Sequence, residues 1–558
     1  MSIDRRGFLK AGAAQAALLG VGIPGCATHP GAAGVLPGAN PFQHGVASGD
    51  PLADRVILWT RVSPPADRMA ESISVGWWIA RDAAGRDRVE EGQIEAVADR
   101  DYCVKLDVEG LDPASEYFYR FSTGAGSSRL GRTRTLPDHS IDSLRLAVAS
   151  CANYPEGYFN AYAAIARRDD LDLVMHLGDY LYEYGNGEYG DGTSIGRIPD
   201  PVHEIIRLED YRRRHATYKR DQDLQDAHAR LAWITIWDDH ESANNSSRDG
   251  AKNHNPERGE GSWQLRRLAA MRAYYEWMPI RELPTGLFRS FRFGDLAELI
   301  MLDTRLAGRD LQAPNGDHDE ARNPDRSLLG ERQEANFLKA LSDAERRGTP
   351  WKIVGQQVII SPLTSGEGFF NADTWDGYRE SRRRVLDHLG HESIEGVVFL
   401  TGDYHSSWAF EVPPPLGSPQ RYDPETGAGS RAVEFVAPAV SAETLGESPG
   451  AAGVFDDATS RHRHLKFLDV HQHGYVIVDF NPERVRAQWM YTKNGRERSS
   501  QEHCGAICES SWGTNHLRRV DSDCAVTRAK GLEAEDSSPR LALGPHARNH
   551  ARPDASST

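Results

Sequence analysis

Four short apolar segments, each followed at once by acidic, histidine, cysteine or tyrosine side chains, constrain this chain more than any other feature of it. Leu144 to Ser150 runs into Cys151, and Leu171 to Leu177 into Gly178-Asp179-Tyr180-Leu181-Tyr182-Glu183. Leu231 to Trp237 runs into Asp238-Asp239-His240-Glu241, and Gly396 to Leu400 into Thr401-Gly402-Asp403-Tyr404-His405. Predominantly apolar runs of this length are the pattern of strands buried on both faces. Leu296 to Leu302 and Trp351 to Gly355 read the same way. Helical stretches lie between them, at Gly157 to Arg168 and at Glu331 to Arg347, the second framed by Gly330 and Gly348. Strands alternating with helices predict an α/β layer architecture. In such folds ligands sit outside the carboxyl ends of the strands, so the four clusters are expected to meet at one place.

Upstream the rhythm is different. Arg55 to Arg61, Ile73 to Ile79, Tyr102 to Val108 and Tyr117 to Phe121 are strands separated by turns, with no helical period between them. Gly110-Leu111-Asp112-Pro113 followed by Tyr117 resembles the tyrosine corner of immunoglobulin-like sandwiches. A small all-β, immunoglobulin or fibronectin-like sandwich is therefore expected ahead of the α/β region, with Trp59, Trp77 and Trp78 in its core. At 558 residues the chain has room for both. The expected division is a leader over 1–30, a β-sandwich over 40–137, a catalytic region over 142–498, and a cysteine-containing segment with a disordered tail over 499–558.

The chemistry offered at the strand ends is that of a metal centre. A carboxylate in a Gly-Asp turn can bridge two cations, and Asp179 is the candidate bridge. Cys151, Tyr182 and His405 add thiolate, phenolate and imidazole, while Asp239 and Asp403 add hard oxygen donors. Two cations so held would clamp a phosphoryl group, with metal-bound water or hydroxide as the attacking oxygen and no protein nucleophile. His240 is placed to protonate a leaving group or donate to phosphate, and Asn245 to hold a phosphate oxygen. Arg305 could neutralise substrate charge, but an ion pair with a neighbouring carboxylate is the plainer reading. His473 reads as a support residue, whereas His462 and His464 read as exposed. A net charge of −16 argues against a nucleic-acid-binding surface, which requires clustered Lys and Arg.

Several of these stretches together resemble one family. Ala149-Ser150-Cys151, Gly178 to Glu183, Trp237 to Glu241 with Asn244-Asn245, Gly402 to Ser406, and Phe435-Val436-Ala437-Pro438 are similar to the alkaline phosphatase D (PhoD-like) family of metallophosphoesterases, also called the phospholipase D / alkaline phosphatase D family. So are Asn40 to Asp50 and Leu465 to Val470 with His473-Gly474-Tyr475, which brings about residues 40 to 495 into the match. The resemblance implies a calcineurin-like fold, central β layers flanked by helices. It also implies alkaline hydrolysis of phosphomonoesters and phosphodiesters. It carries Fe(III) onto Cys151, Asp179, Tyr182 and His405, and Ca(II), one or two ions, onto Asp179, Asp239 and Asp403, with zinc or manganese as the alternative. A calcium-dependent phospholipase D-type diesterase acting on phospholipid is the rival activity, and an exported metal-binding protein without catalysis is the distant one.

The ends carry address information. Asp4-Arg5-Arg6-Gly7-Phe8-Leu9-Lys10 before an Ala, Leu and Gly-rich run reads as a twin-arginine (Tat) export signal, so the Tat machinery is an expected partner. Ile23-Pro24-Gly25-Cys26 resembles a lipoprotein cleavage box, which makes Cys26 a candidate lipid anchor on a periplasmic or extracellular protein. In an oxidising compartment Cys524 is expected to pair with Cys508 or with Cys504.

Overall fold

The computed structural model describes residues 40–65, 71–314, 317–363, 371–415, 417–448, 458–493 and 495–521. The leader, Cys26, Cys524 and the tail lie outside these residues.

The strands, in chain order, begin with β1 Val46–Gly49, β2 Arg55–Arg61, β3 Ile73–Ala80, β4 Arg88–Ala96, β5 Cys103–Glu109, β6 Glu116–Thr123, β7 Gly126–Ser127 and β8 Gly131–Arg134. They continue with β9 Leu144–Ala149, β10 Leu173–His176, β11 Ala232–Thr235, β12 Arg289–Phe293, β13 Ala297–Met301, β14 Trp351–Gln356 and β15 Val397–Thr401. The last are β16 Ser407–Val412, β17 Ala432–Val436, β18 Leu465–Asp469, β19 Gly474–Phe480, β20 Arg484–Thr492, β21 Glu502–Ser511 and β22 Leu517–Arg519.

Two large sheets face each other. One runs β22-β21-β20-β19-β9-β10-β11-β1-β2-β5 and the other β12-β13-β14-β15-β17-β16-β18. In each, the middle is parallel: β9 to β10 to β11 in the first, β13 to β14 to β15 to β17 in the second. Side chains of both, among them Val148, Met175, Ile353, Leu400 and Phe435, form one buried core between the sheets. Burial of both faces explains why β9, β10, β11 and β13 are apolar runs rather than alternating ones.

The N-terminal strands do not stand apart. β3, β4, β6, β7 and β8 form their own five-stranded sheet, but β1 pairs in parallel with β11 and brings β2 and β5 into the first large sheet. β2 accordingly serves two cores. Val56 and Leu58 pack into the sandwich, whereas Trp59 points the other way, packs on Trp277 of the helix Trp263–Trp277 and donates its indole N–H to the Glu276 carbonyl at 2.9 Å. Trp59 is thus not sandwich core, and Trp77 and Trp78 are only half-buried, Trp78 lying under the Arg88 guanidinium. The tyrosine corner does form: the Asp112 N–H donates to Tyr117 Oη at 2.8 Å.

Four further features depart from the sequence reading or extend it. The segment after Arg498 is ordered through 521, because β21 pairs with β20 along ten residues by main-chain bonds and takes its place in the sheet without a strong apolar period. Cys508 in that strand is a buried free thiol, whereas Cys504 is disulfide-bonded. A Cys508–Cys524 bridge is therefore excluded. His464 is half-buried against Phe410 with Nε2 2.8 Å from the Pro362 carbonyl, and burial lowers its pKa to about 4. His462 is half-buried too. The helix expected over Gly157 to Arg168 narrows to Asn160–Ile165, since the Tyr158 N–H is spent on the Gly495 carbonyl at 2.7 Å.

Candidate metal centre

The turns that carry the candidate ligands all lie at the carboxyl ends of parallel strands: Cys151 after β9, Asp179 and Tyr182 after β10, Asp239 and His240 after β11, Arg305 after β13, Asp403 and His405 after β15. The Ser150–Ala439 bridge stitches the end of β9 to the chain leaving β17, so the two sheets close on each other here. Cys151, Asp179, Asn245, Asp403 and His405 all have positive φ, between 49° and 62°. A left-handed non-glycine residue is strained, and it persists where the surroundings over-determine it. Those surroundings include the buried Glu241 carboxylate. It accepts the N–H groups of Asp179 at 3.1 Å and Tyr180 at 2.7 Å from one turn, and of Asp238 at 2.8 Å from the other. Gly178 precedes Asp179 at φ +100°, and a Cβ there would strike the Asp238 backbone nitrogen, so glycine is required.

Around Asp179 the donors are diverse. Tyr182 Oη donates to Asp179 Oδ2 at 3.1 Å and lies 3.0 Å from His405 Nε2. His405 Nδ1 is 2.7 Å from the Glu443 carbonyl, which can only accept, so the proton sits on Nδ1 and Nε2 presents its lone pair to the centre. Burial lowers the His405 pKa to about 4, keeping it neutral. Cys151 is fully buried, with Ser150 Oγ at 3.2 Å as its contact, and burial together with Asp179 pushes its thiol up. Burial also drives the Asp179 carboxyl well above the carboxylate range against the pull of His240, and Asp238, Asp239 and Glu241 add to the rise.

The carboxylate side is arranged differently. Arg305, fully buried, holds Asp238 through Nε, Asp373 through Nη1 at 2.8 Å, and Asp403 through Nη2 at 2.7 Å, with Asp239 3.5 Å from the same Nη2. Asp239 Oδ2 accepts the Asn245 N–H at 2.5 Å. Burial raises the Asp239 carboxyl, but Arg305, His240 and that N–H together hold it below the usual range. Burial lifts Asp403 to about 8 despite Arg305. Arg305 is therefore the ion-pairing residue of the plainer reading, and Asp373 is a member of the cluster that no sequence pattern singled out.

His240 faces the cluster from above Tyr182, ring on ring at 4.2 Å, with Nδ1 2.7 Å from Glu183 Oε2. Burial lowers its pKa, yet Asp239, Glu183 and Asp179 reverse that and hold it well above the ordinary value. Glu183 is fixed in turn by the Asn244 N–H at 2.7 Å and Asn253 Nδ2 at 2.8 Å. Asn245 does not reach inward with its amide, which donates to Gln312 Oε1 at 2.6 Å. His473 stands outside the cluster, its Nε2 2.9 Å from the Ala442 carbonyl, and it steadies the loop whose Ala442 N–H returns to the Cys151 carbonyl.

These residues fit cations. Three sets of donor atoms lie within 4.8 Å of one another: Cys151, Asp179 and His405; Asp179, Asp239 and His240; Asp238, Asp239 and Asp403. Asp239 Oδ1, buried without a hydrogen-bond partner and 3.5 Å from Arg305 Nη2, keeps capacity for a cation in the set that Asp239 shares with Asp179. A second concave region, a cavity of 590 Å³ at the opposite ends of β9, β10 and β11, offers less. Its Arg132, Arg134, Arg145, Arg230, Arg484 and Arg486 are each already ion-paired.

Fold and cluster together define a layered α/β enzyme whose chemistry lies at the carboxyl ends of two facing sheets. Comparison with known proteins gives that class a family. A profile described as PhoD-like phosphatase matches residues 146–489, and one described as its N-terminal domain matches residues 27–137. Alkaline phosphatase D of Bacillus subtilis (strain 168) is 37% identical over 514 residues, 88% of this chain and 84% of that protein. A solved structure described as PhoD superposes with a TM-score of 0.78 at 35% identity, over 87% of this chain and 93% of the other. The chain belongs to the PhoD-like phosphatase family, and it is a phosphoric ester hydrolase.

Proposed function

We propose that this protein hydrolyses phosphomonoesters and phosphodiesters at a centre of Fe(III) and Ca(II) held by Cys151, Asp179, Tyr182, Asp239, Asp403 and His405. The observation that carries the reading is the sharing of Asp179 and Asp239 among the three donor sets, which places neighbouring cation positions side by side. Thiolate, phenolate and imidazole around the first set suit a trivalent iron, and the carboxylates of Asp179, Asp239 and Asp403 suit calcium. When bound, such a pair supplies an activated water and neutralises charge on the phosphoryl group.

The chain's own residues do the rest. Glu241 fixes the two ligand turns against each other because the backbone N–H groups of Asp179 and Asp238 both donate to its carboxylate. His240, held by Glu183 and kept protonated by the surrounding carboxylates, is the group placed to deliver a proton to the departing oxygen. Burial of the ligand turns excludes bulk water from the donor atoms, which strengthens every electrostatic contact among them. Asn245 contributes its backbone N–H to Asp239 instead of an amide to substrate, so its role shifts from phosphate binding to ligand support.

Metal analysis and a visible spectrum of the folded protein, with bis-p-nitrophenyl phosphate turnover before and after chelation, test this reading. Iron with calcium, colour, and turnover lost on chelation and in Asp179→Asn are expected; full turnover in Asp179→Asn removes the centre. Export by the Tat route to the periplasm or beyond, with Cys26 as the lipid site, is part of the proposal and rests on Arg5-Arg6 and the run that follows. Replacing both arginines by lysine is expected to retain the enzyme in the cytoplasm. Phospholipid as substrate is separated from small esters by turnover on vesicles.

A further inference from the structure

Of the three donor sets, one already contains a guanidinium. The set of Asp238, Asp239 and Asp403 is the place where the Arg305 guanidinium lies. Its geometry is that of a fork braced from behind. Nε rests on Asp238 and Nη1 lies 2.8 Å from both oxygens of Asp373, two carboxylates outside the expected ligand set. That bracing leaves Nη2 directed at the two carboxylates inside it, 2.7 Å from Asp403 Oδ1 and 3.5 Å from Asp239 Oδ1. The planar five-donor head of arginine can span four acceptors in this way, which no ammonium can. Arg309 secures the brace, donating to the Asp373 carbonyl at 2.9 Å and also to its carboxylate.

We propose that Arg305 is a built-in cation: it fills the Asp238, Asp239 and Asp403 set, so that this set takes no metal ion, and it holds one face of Asp239 and Asp403 so that these carboxylates serve the neighbouring set around Asp179. Arg305 is then a positioning residue, acting through Asp239 and Asp403 without touching substrate. The inference rests on the metal-centre reading but makes a separate claim, namely which set stays free of metal. It follows from charge. Four carboxylates around one buried guanidinium leave a cluster that is still anionic. Adding a divalent ion beside a guanidinium, which stays charged at every working pH, costs repulsion that the set of Cys151, Asp179 and His405 does not impose.

Two measurements on the full chain decide it. The first counts bound calcium after equilibrium dialysis, alongside the thermal unfolding midpoint in calcium and in chelator. Arg305→Met is expected to bind one more calcium ion per chain than the parent, and to show a larger rise in midpoint from chelator to calcium, because an ion replaces the lost charge. An unchanged calcium count overturns the proposal. A merely structural arginine would lower the midpoint equally in both conditions. The second needs no variant to fold: terbium(III), a calcium mimic that prefers oxygen ligands, is located by anomalous scattering in crystals of the parent protein. Density in the sets containing Asp179, with Arg305 still on its four carboxylates, supports the inference. Density among Asp238, Asp239 and Asp403 with Arg305 displaced overturns it and leaves the metal centre standing. A parent protein that binds no metal anywhere takes down both.

Discussion

The two halves of the centre are equally buried and differently compensated. Around Asp403 and Asp239 the protein brings its own counter-charge, Arg305, into contact with four carboxylates. Around Cys151, Tyr182 and His405 no Lys or Arg forms an ion pair with Asp179 among the described residues, and the imidazole present is neutral. A buried anion without a partner is costly, and in practice the group takes up a proton instead. Asp179, Cys151 and Tyr182 are all pushed in that direction, burial being the leading cause for each. One half is thus complete as a piece of protein structure. The other would become complete if a cation displaced those protons, which is what the proposed metal site means in physical terms.

Four substitutions break or sharpen this contrast. The largest effect belongs to Asp179→Asn, since Asp179 belongs to both donor sets that Arg305 does not fill: loss of several kcal/mol of charge stabilisation corresponds to a fall on the order of 10³-fold in turnover of a nitrophenyl diester. A fall smaller than tenfold would mean that turnover does not depend on those two sets. Glu183→Gln comes next. It leaves the donor sets intact but weakens the hold on His240, and a loss of about 10- to 100-fold in kcat with KM little changed is expected from stopped assays across pH. If kcat is untouched, His240 is not the proton donor.

Stability in chelator separates the halves with opposite signs. Asp403→Asn gives up a charge-assisted hydrogen bond to Arg305 and is expected to cost about 2 kcal/mol by urea unfolding. Asp179→Asn removes a carboxyl that pairs with no arginine or lysine among the described residues and is expected to leave the metal-free protein unchanged or more stable. Equal destabilisation by both would erase the distinction drawn here. The smallest effect is the control far from both halves: Tyr117→Phe removes the corner hydrogen bond and is expected to cost about 1 kcal/mol with no change in turnover.

Much of this molecule is legible in its sequence, for identifiable reasons. β9, β10, β11 and β15 are buried on both faces, so their apolar runs declare them, and the ligands follow within a few residues because a strand end in a parallel layer is where a side chain can face a cleft. The corner Tyr117 is legible because its partner, the Asp112 N–H, is five residues away. β21 is not, since it is ordered by main-chain pairing with β20, and pairing leaves no signature in hydropathy. Trp59 misleads for a related reason: one strand can serve two cores, and alternation does not say which face meets which.

The division that remains is between chemistry and electrostatics. The amino-acid order by itself determined which donor atoms stand at which strand ends, because that depends on local pattern, and so it named Cys151, Asp179, Tyr182, Asp239, Asp403 and His405 as a set. Only the tertiary structure decided how those charges are balanced. Arg305 meets Asp238, Asp373 and Asp403 across 67, 68 and 98 residues of sequence, and Glu183 meets His240 across 57. Coulomb energy depends on distance in space and on burial, neither of which is written along the chain.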